Sequence, residues 1–255
     1  MEFLTAVHTD VGIKKKTNQD SLLVMVAETE MGKVLFAVVC DGMGGLAKGE
    51  VASAAVIKAY EKWFENDFSE LYYSGLSADM LKRSMESVIY TMNSKISSYG
   101  RGIGVNLGTT VVALVIANNT YYCLNIGDSR CYHIKDSFEQ ITKDQTFVQR
   151  EMDMGRLTPE EAEHHPQRSV LLQCVGASEY IVPDFYIGKV GSGELFLLCS
   201  DGYRHLITPE EFYQYLNPAA VPNEAQMKEN IKYFTELNKY RKEQDNISVV
   251  LVRAD

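Results

Sequence analysis

The stretch VLFAVVCDGMGG, residues 34 to 45, constrains the fold more than any other part of the chain. Seven consecutive apolar residues, Val34 to Cys40, are rich in β-branched and aromatic types and too few for an ordinary helix, so they predict a strand buried on both faces. The run ends abruptly on Asp41, with Gly42, Gly44 and Gly45 behind it. Glycines permit left-handed backbone and let carbonyl oxygens approach a ligand, and a carboxylate beside bare backbone oxygens suits a hard divalent cation. The same pattern is also that of a strand closed by an ordinary Asp-Gly turn.

A strand buried on both faces needs a core on each side, and 255 residues, 45% hydrophobic and 23% charged, can supply one. The balance of 34 acidic against 25 basic residues leaves a net charge of −9, which repels phosphate backbones and argues against nucleic acid as a partner. Cys40, Cys123, Cys131, Cys174 and Cys199 show no CxxC spacing, and most lie in or beside apolar runs, as buried thiols of a reducing compartment do. The N-terminus MEFLTAVHTD lacks a basic region leading into a long apolar core, and no apolar run approaches a membrane span. The expectation is a soluble, cytoplasmic chain with no membrane partner.

Residues 3–9 and 21–27 read as strands flanking GIKKKTNQD, where Lys14, Lys15 and Lys16 approach Asp20. Such a lysine run is also what a solvated face looks like. Ala52, Ala55, Val56, Ala59, Tyr60 and Trp63 form a helical stripe, as do Leu81, Met85, Val88, Met92 and Ile96, which predicts helices over 50–65 and 78–98. Residues 110–116 and 120–126 predict a hairpin turning at Asn118 and Asn119, and the second strand runs into Gly127–Arg130, GDSR, before an extended 131–135. The segment 142–176 is polar, with a helix start at Thr158-Pro159-Glu160-Glu161, and the same TPEE recurs at 208–211. Strands at 194–199 and 247–252 follow, the first running into Asp201 and the second preceded by Asp245 and Asn246. No Pro-, Gly- or Ser-rich linker divides the chain, so residues 1–255 are expected to form one domain with 142–176 inserted. Strand faces and helix stripes need one another's cover, which predicts an α+β sandwich of two mainly antiparallel sheets flanked by helices.

If the strands alternate in direction, Asp20, Asp41, Asp128, Asp201 and Asp245 meet at one rim. Clustered carboxylates repel unless cations neutralise them. Oxygen ligands without His or Cys point to Mg²⁺ or Mn²⁺ and away from Zn²⁺. Two such ions about 4 Å apart can activate water and grip a phosphoryl group for in-line attack.

These residues also carry a resemblance. TNQD at 17–20, CDGMGG at 40–45 with Gly49 and Glu50 downstream, GTT at 108–110, NIGDSR at 125–130, CSDG at 199–202 and DNISVV at 245–250 resemble, in order, the motifs of the metal-dependent type 2C serine/threonine protein phosphatases. The resemblance spans nearly the whole chain. It implies hydrolysis of phosphoserine and phosphothreonine in proteins, opposing a Ser/Thr protein kinase, by a monomeric α-β-β-α enzyme in which metal-activated water attacks directly. It implies that Asp41 bridges two ions, that Gly42 ligates one through its carbonyl, that Asp201 and Asp245 complete one site, and that Asp20 serves the other. Asp41, Asp201 and Asp245 are then the catalytic carboxylates. In many bacterial members the residue matching Asp128 helps to hold a third, weaker ion near the one matching Asp201.

Four positions depart from that pattern. Lys15 stands where the family usually has an arginine that forks onto the substrate phosphate; lysine keeps the charge and loses the bidentate geometry, and Lys14 and Lys16 are available to share the work. Met43 replaces a histidine that many eukaryotic members carry, as is common in bacterial relatives. Within the segment that the family calls the flap, DQT at 144–146 replaces DHS, and RSVLLQ at 168–173 replaces a more basic run. Both bear on substrate preference.

A cysteine-dependent phosphatase is not supported, because no arginine follows Cys174 in the spacing that chemistry needs. His8, His133, His164, His165 and His205 show no HExxH pattern, and His164 and His165 read as surface residues of the flap. The rival to an enzyme is a catalytically weak or inactive type 2C-like regulatory or binding module, which loss of a bridging carboxylate would favour. None is missing from the sequence.

Overall fold

The computed structural model describes residues 1–43 and 48–255; Gly44 and Gly45 lie outside the described residues. The run at 34–40 is the inner strand it predicts: β3 (Gly32–Cys40) pairs antiparallel with β2 (Ser21–Thr29) on one side and β6 (Val111–Ala117) on the other. β7 (Thr120–Ile126) and β10 (Asp184–Lys189) complete a five-stranded sheet in the order β10-β7-β6-β3-β2. A second sheet, β1-β12-β11-β8-β9, comprises β1 (Phe3–Asp10), β8 (Arg130–Ile134), β9 (Phe138–Gln140), β11 (Glu194–Cys199) and β12 (Ile247–Ala254). Every pairing in both sheets is antiparallel. β4 (Gly42–Met43) and β5 (Gly108–Thr109) form a short separate ladder.

Alternation along β3 explains why the run is apolar throughout. Leu35, Ala37 and Val39 face the other sheet, packing with Leu114, Phe196, Leu198 and Val250, while Val34, Phe36, Val38 and Cys40 face the helices. α1 (Gly49–Asn66), α2 (Phe68–Tyr73) and α3 (Ala78–Ile103) cover that side with the predicted stripes, and Phe36 sits among Tyr60, Trp63 and Phe64. α6 (Asp201–Arg204), α7 (Pro209–Leu216) and α8 (Glu224–Tyr240) cover the second sheet. The result is the expected α-β-β-α arrangement.

Both TPEE sequences start helices. α7 and α5 (Pro159–Glu163) carry complete capping boxes from Thr208 with Glu211 and from Thr158 with Glu161. Asn118 and Asn119 take positive φ, 51° and 54°, as a tight hairpin between right-twisted strands demands. All five cysteines are buried and free.

Some boundaries differ from expectation. The strand expected over 110–116 runs from Val111 to Ala117, because Thr110 is committed to Asp41. The helix expected over 78–98 continues to Ile103 and stops at Gly104, whose φ of 68° ends it. Asp20 stands immediately before β2, as the strand expected from residue 21 requires, and Asp245 stands shortly before β12. β10, α8 and α4 (Phe147–Asp153) carried no sequence prediction. In α8 the apolar stripe of Met227, Ile231 and Phe234 is diluted by buried Asn230, Thr235 and Asn238. Those asparagines are buried because they donate to the carbonyls of Tyr215 (2.6 Å) and Tyr203 (2.7 Å). No helix among the described residues is long and apolar enough to cross a membrane.

Candidate metal centre

The antiparallel registers decide which strand ends share a rim. Ser21 pairs with Cys40, so Asp20 and Asp41 lie side by side; Cys199 pairs with Val249, which brings Asp201 to the end where Asp245 enters β12. β7 delivers Asp128 through Gly127. The carboxylates of Asp20, Asp201, Asp245 and Asp128 all act on Asp41.

Asp41 is held by its backbone, which leaves its carboxylate free. Its N–H donates to Thr110 Oγ1 at 3.0 Å, and its carbonyl accepts from the Thr110 N–H and from Thr109 Oγ1, both at 2.9 Å. Thr110 Oγ1 in turn lies 2.6 Å from Ser129 Oγ. The GTT and GDSR stretches are thus the clamp that aims Asp41. Gly42 is needed for close approach rather than for positive φ: a Cβ there would overlap the carbonyl oxygens of Gly49 and Gln19. Its N–H donates to the Gln19 carbonyl at 3.1 Å, tying β4 to the loop that bears Asp20.

Asn246 ties the same loop to β12. Its Oδ1 accepts from the Gln19 N–H at 2.9 Å, and its Nδ2 donates to the carbonyls of Val11 and Thr17 at 2.9 and 3.2 Å. This anchoring carries Lys15 into the cluster, where its Nζ meets Asp245 Oδ1 at 2.9 Å. Partial burial opposes the charge on Lys15, but the contact with Asp245 and the fields of Asp41 and Asp201 outweigh it, and the pKa is raised. Lys14 reaches Gln244 instead. Of the three lysines, Lys15 is the one ion-paired with a carboxylate of the cluster.

The carboxylates are short of partners. Asp20 Oδ2 accepts from Ser200 Oγ at 2.9 Å, but Asp20 Oδ1 and Asp201 Oδ1 are buried without a hydrogen bond. Burial, with Asp201 and Asp245 adding to it against the hydrogen bonds from Ser248 and Ser200, pushes Asp20 up to about 7. Burial and the neighbouring carboxylates hold Asp41 well above the usual range. Among the described residues, Lys15 and His205 supply the ion pairs to Asp20, Asp41, Asp201 and Asp245. Orphaned, repelling, oxygen-only donors fit a hard divalent cation. No three Asp, Glu, His or Cys side chains among the described residues enclose a single point. The fit is therefore to ions that share carboxylates and complete their shells with water and backbone oxygen.

The Asp128 side of the rim is built differently. Arg130 forks onto Asp144, Nε to Oδ1 and Nη2 to Oδ2 each at 2.7 Å, and its Nη1 donates to Tyr132 Oη at 3.0 Å. Arg204 Nη2 donates to the Asp128 carbonyl at 3.1 Å and to Asp144 Oδ2 at 3.3 Å, and lies 3.8 Å from Asp128 Oδ2. Burial opposes ionisation of Asp144, yet Arg204 and Arg130 hold its pKa below the ordinary carboxylate value. Asp128 is pushed up to about 7 by burial and Asp201, with Arg204 acting the other way. His205 stands between Asp201 Oδ2 and Glu243 Oε2, 3.5 Å from each. A cleft of about 820 Å³ opens from Asp128 and Arg204 to the flap, where Met152, Ala162 and Arg168 line it. Exposed His164 lines this cleft too, and His165 packs near Phe147.

The structure thus brings Asp20, Asp41, Gly42, Asp128, Asp201, Asp245 and Lys15 to one rim. Sequence reasoning missed the positioning roles of Thr110, Ser129 and Asn246, although all three lie inside stretches it singled out. It also missed Arg204, His205 and Glu243. Arg204 matters through Asp128 and Asp144, both distant in the chain, and Glu243 through His205, whereas His205 stands one helical turn from Asp201 and could have been found by its i,i+4 spacing from that aspartate.

Residues 12–236 match the model of the family described as Protein phosphatase 2C. The serine/threonine protein phosphatase PstP of Mycobacterium tuberculosis is 34% identical over 223 residues, covering 86% of this chain and 40% of the relative. The chain therefore spans less than half the length of that relative. The protein phosphatase PhpP of Streptococcus pneumoniae is 32% identical over 206 residues, 80% of each chain. Among solved structures, the catalytic domain of PstP in complex with 2 manganese ions superposes with a TM-score of 0.80 at 29% identity, covering 99% of both chains.

Proposed function

The chain belongs to the protein phosphatase 2C family, and from that membership we propose that it hydrolyses phosphoserine and phosphothreonine esters in proteins, with Mn²⁺ or Mg²⁺ as cofactor. The observation that carries the reading is the cluster of under-compensated carboxylates at one rim, with Asp41 at its centre. A binding module that had given up catalysis would have no need to keep so costly an arrangement.

In this reading Asp41 would serve both of two ions, and the Gly42 carbonyl would serve one of them. Asp201 and Asp245 would help to hold one ion and Asp20 the other. When bound, the ions supply Lewis-acid polarisation of the phosphate and a lowered pKa for water. The clamp of Thr109, Thr110 and Ser129 fixes the direction of the Asp41 carboxylate. Asn246 holds the Lys15 loop against β12, so that Nζ stands at the mouth of the cluster as a cationic donor to a phosphate oxygen. The cleft beside Asp128 offers room for residues flanking the phosphorylated side chain. Met43 holds no exchangeable proton, so it does not protonate the leaving alkoxide.

We further propose one domain over 1–255, acting as a cytoplasmic monomer opposite a Ser/Thr protein kinase and on that kinase's substrates. The test is hydrolysis of p-nitrophenyl phosphate and of a phosphothreonine peptide with Mn²⁺, with Mg²⁺ and with chelator. Turnover is expected with metal only, and Asp41→Asn is expected to lower kcat by roughly 100-fold or more. Near-parental turnover of that variant at saturating Mn²⁺ would overturn the bridging assignment.

A further inference from the structure

The two halves of the rim differ in how their charge is balanced. Around Asp20, Asp41 and Asp245 one lysine, Lys15, answers several carboxylates, and Asp20 Oδ1 has no partner. On the other side Asp128 and Asp144 face two guanidinium groups, those of Arg130 and Arg204. Arg130 is spent on Asp144 through both of its carboxylate oxygens. Arg204 is the group that reaches Asp128, at both its carbonyl and its carboxylate.

Arg204 closes the four-residue helix that Asp201 opens, so one helical turn carries both the carboxylate and the cation. Its side chain is 11% exposed and is also tied to Asp144, which Arg130 holds in place. The guanidinium does not lose its proton in a protein, so its charge is permanent. A divalent ion bridging Asp128 and Asp201 would have to sit against that charge, and the repulsion is twice what a monovalent ion would feel.

We infer that Arg204 is a built-in cation that takes the place of a third divalent ion beside Asp128 and Asp201, so that this chain holds two ions at its rim. The inference rests on the two-ion reading of the Asp41 cluster and makes a separate statement about the count. Asp128 and Asp144 share two guanidinium groups of the fold, whereas Lys15 is the one cation ion-paired within the group Asp20, Asp41 and Asp245 among the described residues.

The experiment is a count of bound Mn²⁺ on the full chain, by equilibrium dialysis with elemental analysis and by titration calorimetry. The parent is expected to bind two ions, and Asp128→Asn is expected to leave that number at two. Arg204→Ala is expected to add one weak site, which the Arg204→Ala, Asp128→Asn double variant loses again. A parent that binds three ions, one of them lost with Asp128→Asn or His205→Ala, would overturn the inference. An Arg204→Ala chain that folds and still binds two would overturn it as well. Circular dichroism melts report whether Arg204→Ala folds; if it does not, Arg204→Gln replaces it, and the Asp128→Asn arm decides independently. A parent count below two would defeat the underlying two-ion reading, and the inference with it, which is distinguishable from a count of three.

Discussion

Asp20→Asn in the metal-free protein tests the electrostatic account of the rim most directly. Asp20 is pushed from 3.8 up to about 7, chiefly by burial. A raised acid means that the folded state keeps a proton which the unfolded chain has already released. Well below pH 3.8 both states are protonated and Asp20 costs nothing. As pH rises from 4 to 7 the unfolded state is increasingly favoured, and above 7 the penalty is constant. At roughly 1.4 kcal/mol per tenfold change in acidity, the ceiling is about 4 kcal/mol, reduced where Asp41, Asp201 and Asp245 share the cost. Asparagine keeps the oxygen that accepts from Ser200 and removes the ionisation. In chelator at pH 8 the variant should therefore melt above the parent by roughly 5–15 °C, taking about 2–4 °C per kcal/mol for a chain of this size. At pH 4 the gap should shrink to below about 1 kcal/mol. In saturating Mn²⁺ the order should reverse, because the parent gains ligand-binding free energy that the amide forfeits. Differencing variant and parent at each pH cancels the acid losses of other groups, such as Asp144 and Glu243, whose carboxyls lie below their ordinary values. A gap that does not change between pH 4 and 8 in chelator, or a parent more stable than the variant at pH 8, would refute the reasoning.

Lys15→Ala should raise KM severalfold with little change in kcat, since a flexible point charge binds ground and transition states almost alike, and Lys15→Arg should lower KM or raise turnover. Steady-state kinetics on one phosphothreonine peptide at fixed ionic strength read both, and unchanged constants for the pair would remove Lys15 from the phosphate site. Thr110→Val deletes the oxygen that accepts from the Asp41 N–H, and a loss of about 1–3 kcal/mol in urea unfolding, with reduced turnover, is expected. Leu198→Ala opens a hole between the two sheets where Leu198 is fully buried and should cost about 2–5 kcal/mol by the same measurement; a near-neutral result would contradict the packing of that layer.

Much of the fold was legible because its signals are local. An apolar run such as Val34–Cys40 or Glu194–Cys199 announces a strand within its own length, and Thr158-Pro159-Glu160-Glu161 announces a helix start within four residues. The aspartates of the site were legible for the same reason, each standing beside a strand end. α8 escaped because its buried face mixes Asn230 and Asn238 into the apolar stripe, and only the carbonyls of Tyr215 and Tyr203 make those residues suited to burial.

What the sequence alone determined is the set of strand ends that carry carboxylates, together with the requirement for small residues beside them. Tertiary structure decided how those charges are balanced. Lys15 reaches Asp245 because Asn246 ties its loop to β12, across more than two hundred residues of chain. Arg204 meets Asp128 across 76 residues and, across 60, the same Asp144 carboxylate that Arg130 grips. Hydrophobic periodicity repeats along the chain and can be read there, whereas a Coulomb interaction depends on distance in space, and that distance exists only once the sheets are paired.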